Sequence, residues 1–214
     1  MKKIVIIIMM FLLIIPHQIY SKYKEQPLDG IAIVLDAGHG GKDLGASNHG
    51  ISEEHINLNI VLALKQYLEK EGASITLTRK NHDALNQEKN WKSKDMKKRV
   101  MIMNEEAHDL MISIHLNSFE HVNVKGSQVF YNYDELLASS VDEQLKDLTH
   151  SKLKIKKGDY YILNECKLPS LLIECGFLSN DEECELLNDS KYQKQIAKAI
   201  SKGIMQYFKQ LNYN

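Results

Sequence analysis

The sequence predicts a single α/β domain in which helices flank a mostly parallel, twisted sheet. Short apolar segments of strand length alternate with longer segments in which apolar residues recur at helical spacing. Such alternation of strands and amphipathic helices is typical of parallel sheets. The chain has 214 residues, which suits one domain once an N-terminal segment of different composition is set aside.

That N-terminal segment covers residues 1–21. Two lysines precede an apolar run over residues 4–15, an order typical of a secretory signal peptide. The run is shorter than the roughly 20 residues that a membrane span needs. Because Ile19-Tyr20-Ser21 is a weak cleavage site, an uncleaved membrane anchor is the alternative. We expect a linker over residues 22–29, a folded domain over residues 30–214, and a location outside the cytoplasmic membrane, with membrane contact through the N-terminal segment only.

In the first half of the domain, strands and helices alternate. The compact apolar run at residues 31–36 predicts a strand. Ser52 is in position to cap a helix whose apolar residues recur every three or four positions and which ends at a glycine. Residues 73–79 predict a second strand. After a polar loop that contains Trp91, the pattern predicts a helix over residues 95–106.

The second half continues the alternation. Apolar segments predict strands over residues 109–115 and 126–132, followed by a helix over residues 134–151. The short run at residues 160–163 predicts another strand, and the almost wholly apolar segment at residues 169–174 predicts the last one.

Two helices are predicted to close the chain. Asn180 with Glu183, and Ser190 with Gln193, have the spacing of capping boxes at the starts of these helices.

The overall charge argues against a nucleic-acid-binding protein. The formal net charge is -1, from 27 basic and 28 acidic residues, so no global positive field would attract phosphates. The basic run at residues 92–99 is predicted to be the solvated face of a helix.

The chain has three cysteines, Cys166, Cys175 and Cys184, so at least one thiol is unpaired within the chain. Their spacing is not that of a metal-binding pair. We expect three buried, apolar thiols; a disulfide between two of them is the alternative.

A glycine-rich segment, VLDAGHGGKDLGAS at residues 34–47, contains one histidine, His39, just after the first strand. It is not a phosphate-binding loop, because Lys42 is followed by Asp43 rather than by Ser or Thr, and no G-x-G-x-x-G pattern is present. A metal ligand and a histidine within an ordinary turn both remain as interpretations.

Two further strands end in residues that can carry chemistry, His115 and Glu174. Because binding sites of α/β sheets gather beyond the carboxyl ends of the strands, these side chains are expected near His39. The pair Glu53-Glu54 opens the first helix, where acids are also favoured by the helix dipole. Two histidines, a carboxylate and a water form a typical catalytic zinc shell, and a second carboxylate can act as general base. Taken singly, each of these residues could instead be structural.

Together these segments resemble the zinc-dependent N-acetylmuramoyl-L-alanine amidases, which act on bacterial peptidoglycan. The blocks that carry the resemblance are IVLDAGHGGKDLGA, SEEHINLNIVLAL, TLTR, MISIHLNS followed by GSQVFY, and LPSLLIECGFLSN. They occur in the order of the family and cover nearly everything after the N-terminal segment. The folded domain is therefore expected to be a zinc amidase catalytic domain.

The resemblance implies a role for each candidate residue. It assigns His39, Glu53 and His115 as ligands of one Zn²⁺, completed by a water, and Glu174 as the catalytic glutamate. The family usually has a lysine after its glutamate ligand. Here that position is Glu54, so a shift of the ligand by one residue is the alternative.

The implied reaction is hydrolysis of the amide bond between N-acetylmuramic acid and L-alanine in peptidoglycan. The compact layout and the segment from DYYIL to FLSN look most like the germination-specific amidases of the spore cortex, whose action leads to muramic δ-lactam. The enzyme is expected to be released, or anchored at the outer face of the membrane or cell wall (the cortex side in a spore). A protein activator or a lipoprotein is a candidate partner.

Three other functions stay open at the level of sequence. The first is a vegetative autolysin or cell-separation amidase. The second is a glycosidase that uses Glu53 and Glu174 as its carboxylate pair. The third is a non-catalytic wall-binding module.

Overall fold

The computed structural model describes residues 26–86, 88, 91–105 and 107–211. The predicted signal peptide or anchor, residues 1–21, lies outside these residues. The strands are β1 (Ala32–Ala37), β2 (Ser47–Asn48), β3 (Ile51–Ser52), β4 (Ser74–Leu77), β5 (Leu110–Asn117), β6 (Gln128–Tyr131), β7 (Lys156–Lys157) and β8 (Ser170–Phe177). The helices are α1 (Glu53–Lys70), α2 (Trp91–Met103), α3 (Glu135–Thr149), α4 (Tyr161–Glu165), α5 (Asp181–Asn188) and α6 (Ser190–Leu211).

The predicted α/β domain with a mostly parallel sheet is confirmed. Six strands form one sheet in the order β4-β1-β5-β8-β6-β7. The first four run parallel to one another, whereas β6 is antiparallel to β8 and β7 is parallel to β6. The central strands are covered on both faces, since β8 is buried along its whole length. This explains why their sequences are continuous apolar runs without polar alternation.

Each face of the sheet has its own apolar core. Ile33 and Leu35 of β1 belong to the larger cluster, which includes residues of α1, α3 and α6. Val34, between them, belongs to a smaller cluster with residues of α2 and α4. Successive side chains of a strand point to opposite faces, so one apolar run supplies both layers.

Two predictions about local structure were wrong. Residues 160–163 form no strand, because α4 begins at Tyr161 and the N–H groups of Leu163 and Asn164 donate to the carbonyl of Tyr160. A short apolar run fits a buried strand and a buried helical turn equally well. The helix expected over residues 95–106 begins earlier, at Trp91, within the predicted loop.

The predicted caps hold in part. The side chain of Asn180 accepts from the N–H of Glu183, as predicted. The Glu183 carboxylate, however, accepts from the N–H groups of Gly126 and Phe177. At the start of α6, Asp189 rather than Ser190 is the cap, since its side chain accepts from the N–H of Lys191.

Other features agree with the sequence or extend it. All three cysteines are buried and free, which excludes the disulfide. In the segment assigned to the linker, Leu28 is fully buried, and its N–H donates to the carbonyl of Glu71. Within the described part of the chain, no helix is both long and apolar enough to cross a membrane.

Candidate active site

Two histidines and a glutamate converge at the carboxyl edge of the sheet. Glu53 Oε1 lies 3.1 Å from Nε2 of His39 and 3.0 Å from Nδ1 of His115. One donor atom from each residue lies within 4.8 Å of the others. Two imidazole nitrogens and one carboxylate oxygen make a donor set that suits a divalent metal such as zinc.

The three side chains come from three different elements. His39 follows β1 and has a left-handed backbone, with φ 64°, which is uncommon for a residue with a Cβ. His115 lies near the carboxyl end of β5, the strand beside β1. Glu53 is the first residue of α1. The parallel pairing of β1 with β5 therefore brings together residues that are distant in sequence.

The Glu53 carboxylate is held in place by hydrogen bonds from three sides. The N–H of Ala46 donates to Oε2 over 2.8 Å, and the N–H of Leu116 donates to Oε1 over 3.0 Å. The amide of Asn57, one helical turn further along α1, donates to Oε1 over 3.2 Å. Its orientation is thus set before any ligand binds.

Glu53 and His39 each stabilise the charged form of the other. Burial opposes ionisation of Glu53, but hydrogen bonds to His115 and His39 hold the pKa of this carboxyl well below its usual range. Burial also opposes protonation of His39, yet Glu53 and Asp43 raise its pKa. Asp43 Oδ2 lies 3.1 Å from Nδ1 of His39 and 3.3 Å from Nζ of Lys92. Since Nδ1 has no well-aligned hydrogen bond, we treat its contact with Asp43 as electrostatic.

Glu174 lies on β8, opposite His115 of β5. Its Oε2 is buried and accepts no hydrogen bond from the residues that the structure describes. Burial raises the pKa of Glu174 to about 7. A buried carboxyl without a partner costs free energy, so its place beside the two histidines points to chemistry.

A cavity of about 290 Å³ opens beside these residues. His39, His115 and Glu174 line it on the side of the sheet. On the other side the wall is largely apolar and aromatic, with Trp91 of α2 and Tyr160 before α4. The cavity therefore offers apolar surface and a few polar groups to a substrate next to two of the candidate ligands, a combination typical of binding sites.

Two glycines of the loop after β1, Gly38 and Gly45, are required by the site itself. A Cβ on Gly38 would lie 2.3 Å from the ring of His115. Gly45 has φ +65°, and its Cβ would lie 2.4 Å from Glu53 and 2.8 Å from the ring of His39. Positions 38 and 45 of the loop therefore carry no side chain, because the candidate ligands occupy the space that a Cβ would need.

Glu54, the alternative ligand, points elsewhere. Its Oε2 lies 3.2 Å from Nδ1 of His82 and 3.8 Å from Nη1 of Arg79. The group that contains both site histidines includes Glu53 and not Glu54.

Two buried arginines that were not predicted from the sequence, Arg79 and Arg99, hold the loop. Arg99 donates to the side chain of Asp36 over 2.6 Å, to the carbonyl of Ala37 over 2.7 Å and to the carbonyl of His39. Arg79 donates to the carbonyl of Ala37 over 2.8 Å. These bonds fix the backbone on both sides of the glycine that precedes His39.

For the basic run at residues 92–99, the predicted solvated face is only partly right. Lys92, Lys94 and Lys97 are exposed, but Asp95 and Arg99 are buried. Asp95 and Arg99 are four residues apart on one helix, and this spacing was the feature of the sequence that indicates an ion pair.

Solved structures of similar chains share this fold. The CwlD amidase from Clostridioides difficile, solved in complex with the GerS lipoprotein, is 39% identical with a TM-score of 0.80, over 86% of this chain and 100% of that chain. The catalytic domain of CwlV, an N-acetylmuramoyl-L-alanine amidase from Bacillus (Paenibacillus) polymyxa var. colistinus, is 27% identical with a TM-score of 0.76, over 84% of this chain and 98% of that one.

Sequence comparison agrees. The germination-specific N-acetylmuramoyl-L-alanine amidase of Bacillus subtilis (strain 168) is 37% identical over 194 residues, which cover 85% of this chain and 81% of that protein. Residues 33–206 match the model of a family described as N-acetylmuramoyl-L-alanine amidase. The chain therefore belongs to the N-acetylmuramoyl-L-alanine amidases, enzymes that hydrolyse an amide bond of peptidoglycan, as its motifs predicted.

Proposed function

We propose that this amidase depends on one Zn²⁺ bound by His39, Glu53 and His115, and that Glu174 transfers the protons of the reaction. One observation carries the proposal: three zinc-type donor atoms lie within 4.8 Å of one another, next to a cavity that is lined by His39, His115 and Glu174. The bond cleaved is the one between the lactyl group of N-acetylmuramic acid and L-alanine.

The residues present fit a zinc ion. Two neutral imidazoles and an ionised carboxylate are a common catalytic zinc donor set, and they leave a coordination position for water or substrate. Hydrogen bonds from Ala46 and Leu116 hold the Glu53 carboxylate in position, as second-shell groups do in metal sites. When bound, zinc supplies a Lewis acid that polarises the scissile carbonyl and lowers the pKa of water.

Glu174 is the proton carrier in this proposal. Its buried carboxylate can accept a proton from the attacking water and return it to the departing amine of alanine, as a general base and then a general acid. Trp91 and Tyr160, which line the same cavity as Glu174, offer apolar surface that a bound substrate can cover, and the removal of water by a substrate strengthens electrostatic interactions in a site.

The relatives also support a proposal for the setting of the reaction. A germination-specific relative at 37% identity supports a role in the spore cortex, leading to muramic δ-lactam. The Clostridioides difficile CwlD was solved in complex with the GerS lipoprotein, which supports a lipoprotein partner here too. We place the catalytic domain, residues 30–214, outside the cytoplasmic membrane, after a signal peptide or anchor (residues 1–21) and a linker (residues 22–29).

Muropeptide mass spectrometry tests the reaction and the bond together. Peptidoglycan treated with the zinc-loaded enzyme is expected to release stem peptides that begin with L-alanine, and a chelator is expected to stop this release. New reducing sugar ends would instead indicate a glycosidase and refute the proposal.

Glu174→Gln tests the role of that residue. The variant is expected to keep its bound zinc, measured by elemental analysis, while turnover falls by about 10²–10⁴-fold. Glu182→Gln is the matched control, since Glu182 is an exposed partner of Lys125, and its activity should not change. Cleavage by Glu174→Gln at near the wild-type rate would rule out the assigned role.

Complementation tests the cortex role. A Bacillus subtilis strain without its germination-specific amidase is expected to regain muramic δ-lactam in its spores when it expresses this chain. Unchanged spores, with the enzyme present and active on vegetative wall, would favour an autolysin.

A further inference from the structure

We propose that Glu54, His55 and His82 form a second zinc-binding site, which we call the outer site. It lies at the first turn of α1, on residues that do not line the cavity of Glu174. The proposed catalytic mechanism does not involve the outer site. An ion bound there is expected to stabilise the folded structure.

The outer site has a complete set of zinc-type donors. One donor atom from each of the three residues lies within 4.8 Å of the others. Nδ1 of His82 is 3.2 Å from Oε2 of Glu54. The rings of His55 and His82 are parallel, 4 degrees apart in orientation, with centroids separated by 4.7 Å. Two histidines and a carboxylate are the same donor types as at the candidate active site.

Little movement is needed to bind an ion. Donor atoms around a tetrahedral zinc lie roughly 3.4 Å apart, as bond lengths near 2.1 Å require. Both histidines are exposed, so their rings can turn without disturbing the core. Glu54 is buried and supplies the fixed end of the site.

Arg79 is the main opposing charge, because its Nη1 lies 3.8 Å from Oε2 of Glu54. However, its N–H groups donate to the carbonyls of Ala37, Gly38, Glu54 and Asn81. Arg79 therefore does not occupy the lone pairs of the Glu54 carboxylate. Oε2 of Glu54 has a hydrogen bond with Nδ1 of His82, and binding of a metal between these two atoms would replace that bond. The positive charge and the exposure of the site make binding weaker than at the candidate active site.

An ion at the outer site would connect two segments that support the active site. His55 is on α1, two residues after Glu53, whereas His82 is in the loop after β4. The carbonyl of His82 accepts from the N–H of Gly41, in the loop that carries His39. Zinc at the outer site is thus expected to stabilise the arrangement of both supporting segments.

Zinc stoichiometry tests the proposal. The full-length chain, purified in mild detergent without a histidine tag, is titrated with Zn²⁺ in a calorimeter. The wild type is expected to bind two ions with different affinities. His55→Ala and His82→Ala are each expected to bind one, and to keep the tighter of the two. His115→Ala should lose the tighter ion instead.

His121→Ala is the matched control, because His121 is also exposed and its ring contacts another ring, that of Phe119, in a tilted arrangement. This variant should bind two ions. The outer site is refuted if the wild type binds a single ion that His115→Ala loses and His82→Ala keeps, or if His55→Ala and His82→Ala still bind two. Neither result depends on catalysis, so the outer site and the proposed reaction can fail separately.

Discussion

Arg99 shows how one buried side chain determines the position of the candidate ligand His39. It is almost fully buried and donates to the carbonyl of His39 and to the carboxylate of Asp36. Asp36 is itself fully buried and also accepts from Thr78 and Ser113. Burial opposes its ionisation, but the Arg99 guanidinium and these hydrogen bonds hold the pKa of Asp36 below its usual value. The buried ion pair between Arg99 and Asp36 therefore helps to fix the loop that carries His39.

Replacing Arg99 is expected to destabilise the fold. Arg99→Met leaves Asp36 buried with an unpaired charge, which costs about 3–5 kcal/mol of the free energy of unfolding. Urea denaturation followed by circular dichroism measures this change. Lys97→Met on the same helix is the control, since Lys97 is exposed, and its effect should stay within about 0.5 kcal/mol. Equal stabilities of the two variants would contradict the assigned role.

At the scale of elements, glycines allow segments to approach where a Cβ would not fit. In the loop after β1 this involves Gly45, which faces Glu53 and His39. Between helices it involves Gly203 of α6, whose Cβ would lie 2.5 Å from the Cα of Val141 on α3. The first approach makes room for the site, and the second brings two helices of the larger core together.

Gly45→Ala is expected to abolish or strongly weaken zinc binding at the candidate active site, because the new methyl group overlaps Glu53. Gly50→Ala separates this effect from backbone strain. Gly50 also has a positive φ, +79°, but a Cβ there meets nothing within 4 Å. Both variants should lose about 1 kcal/mol of stability or somewhat more, whereas calorimetry should show the loss of affinity for Gly45→Ala alone. The same affinity in both variants would mean that the loop adapts.

The expected effect of Gly203→Ala on stability is opposite to the effect that helix propensity predicts. At an exposed position of a helix, this change would stabilise the protein by about 1 kcal/mol. Here it should destabilise by about 1–3 kcal/mol, because the methyl group meets the backbone of α3. Thermal denaturation measures the difference, and Lys202→Ala, at the neighbouring exposed position, is the control. A more stable Gly203→Ala variant would show that α3 and α6 can separate without cost.

At the scale of the whole molecule, metal binding is expected to link distant parts of the chain. His39, Glu53 and His115 belong to a loop, a helix and a strand that meet only in the folded state. An ion that binds this state and not the unfolded chain stabilises it by mass action, by about 2.7 kcal/mol when free zinc is 100 times its Kd.

Removal of the metal should therefore lower the melting temperature. The measurement uses a His82→Ala background, so that the outer site does not contribute, and compares thermal melting with zinc and with a chelator. In the double variant His82→Ala/His115→Ala, the melting temperature should be the same with zinc and with the chelator. An equal response of both proteins would contradict zinc binding at the three assigned residues.

The pattern of residues predicted the fold class and placed His39, His115 and Glu174 near the carboxyl ends of strands, whereas the role of each residue came from the resemblance to the amidase family. Apolar runs predicted the central strands, since strands buried on both faces need continuous apolar sequence. His39 and His115 stand out because each follows or ends such a run. Local pattern failed at residues 160–163, where a short apolar run suits a strand or a helical turn.

Only the tertiary structure decided between neighbours of the same type. Glu53 and Glu54 are both acids in the first turn of α1, and successive residues of a helix point in different directions, so the packing of α1 against the sheet selects which one meets His39. Likewise Arg99 and Lys97 belong to one basic run, and burial separates them. Sequence periodicity predicts which face of an element is apolar, whereas the partner of each polar side chain depends on segments far along the chain.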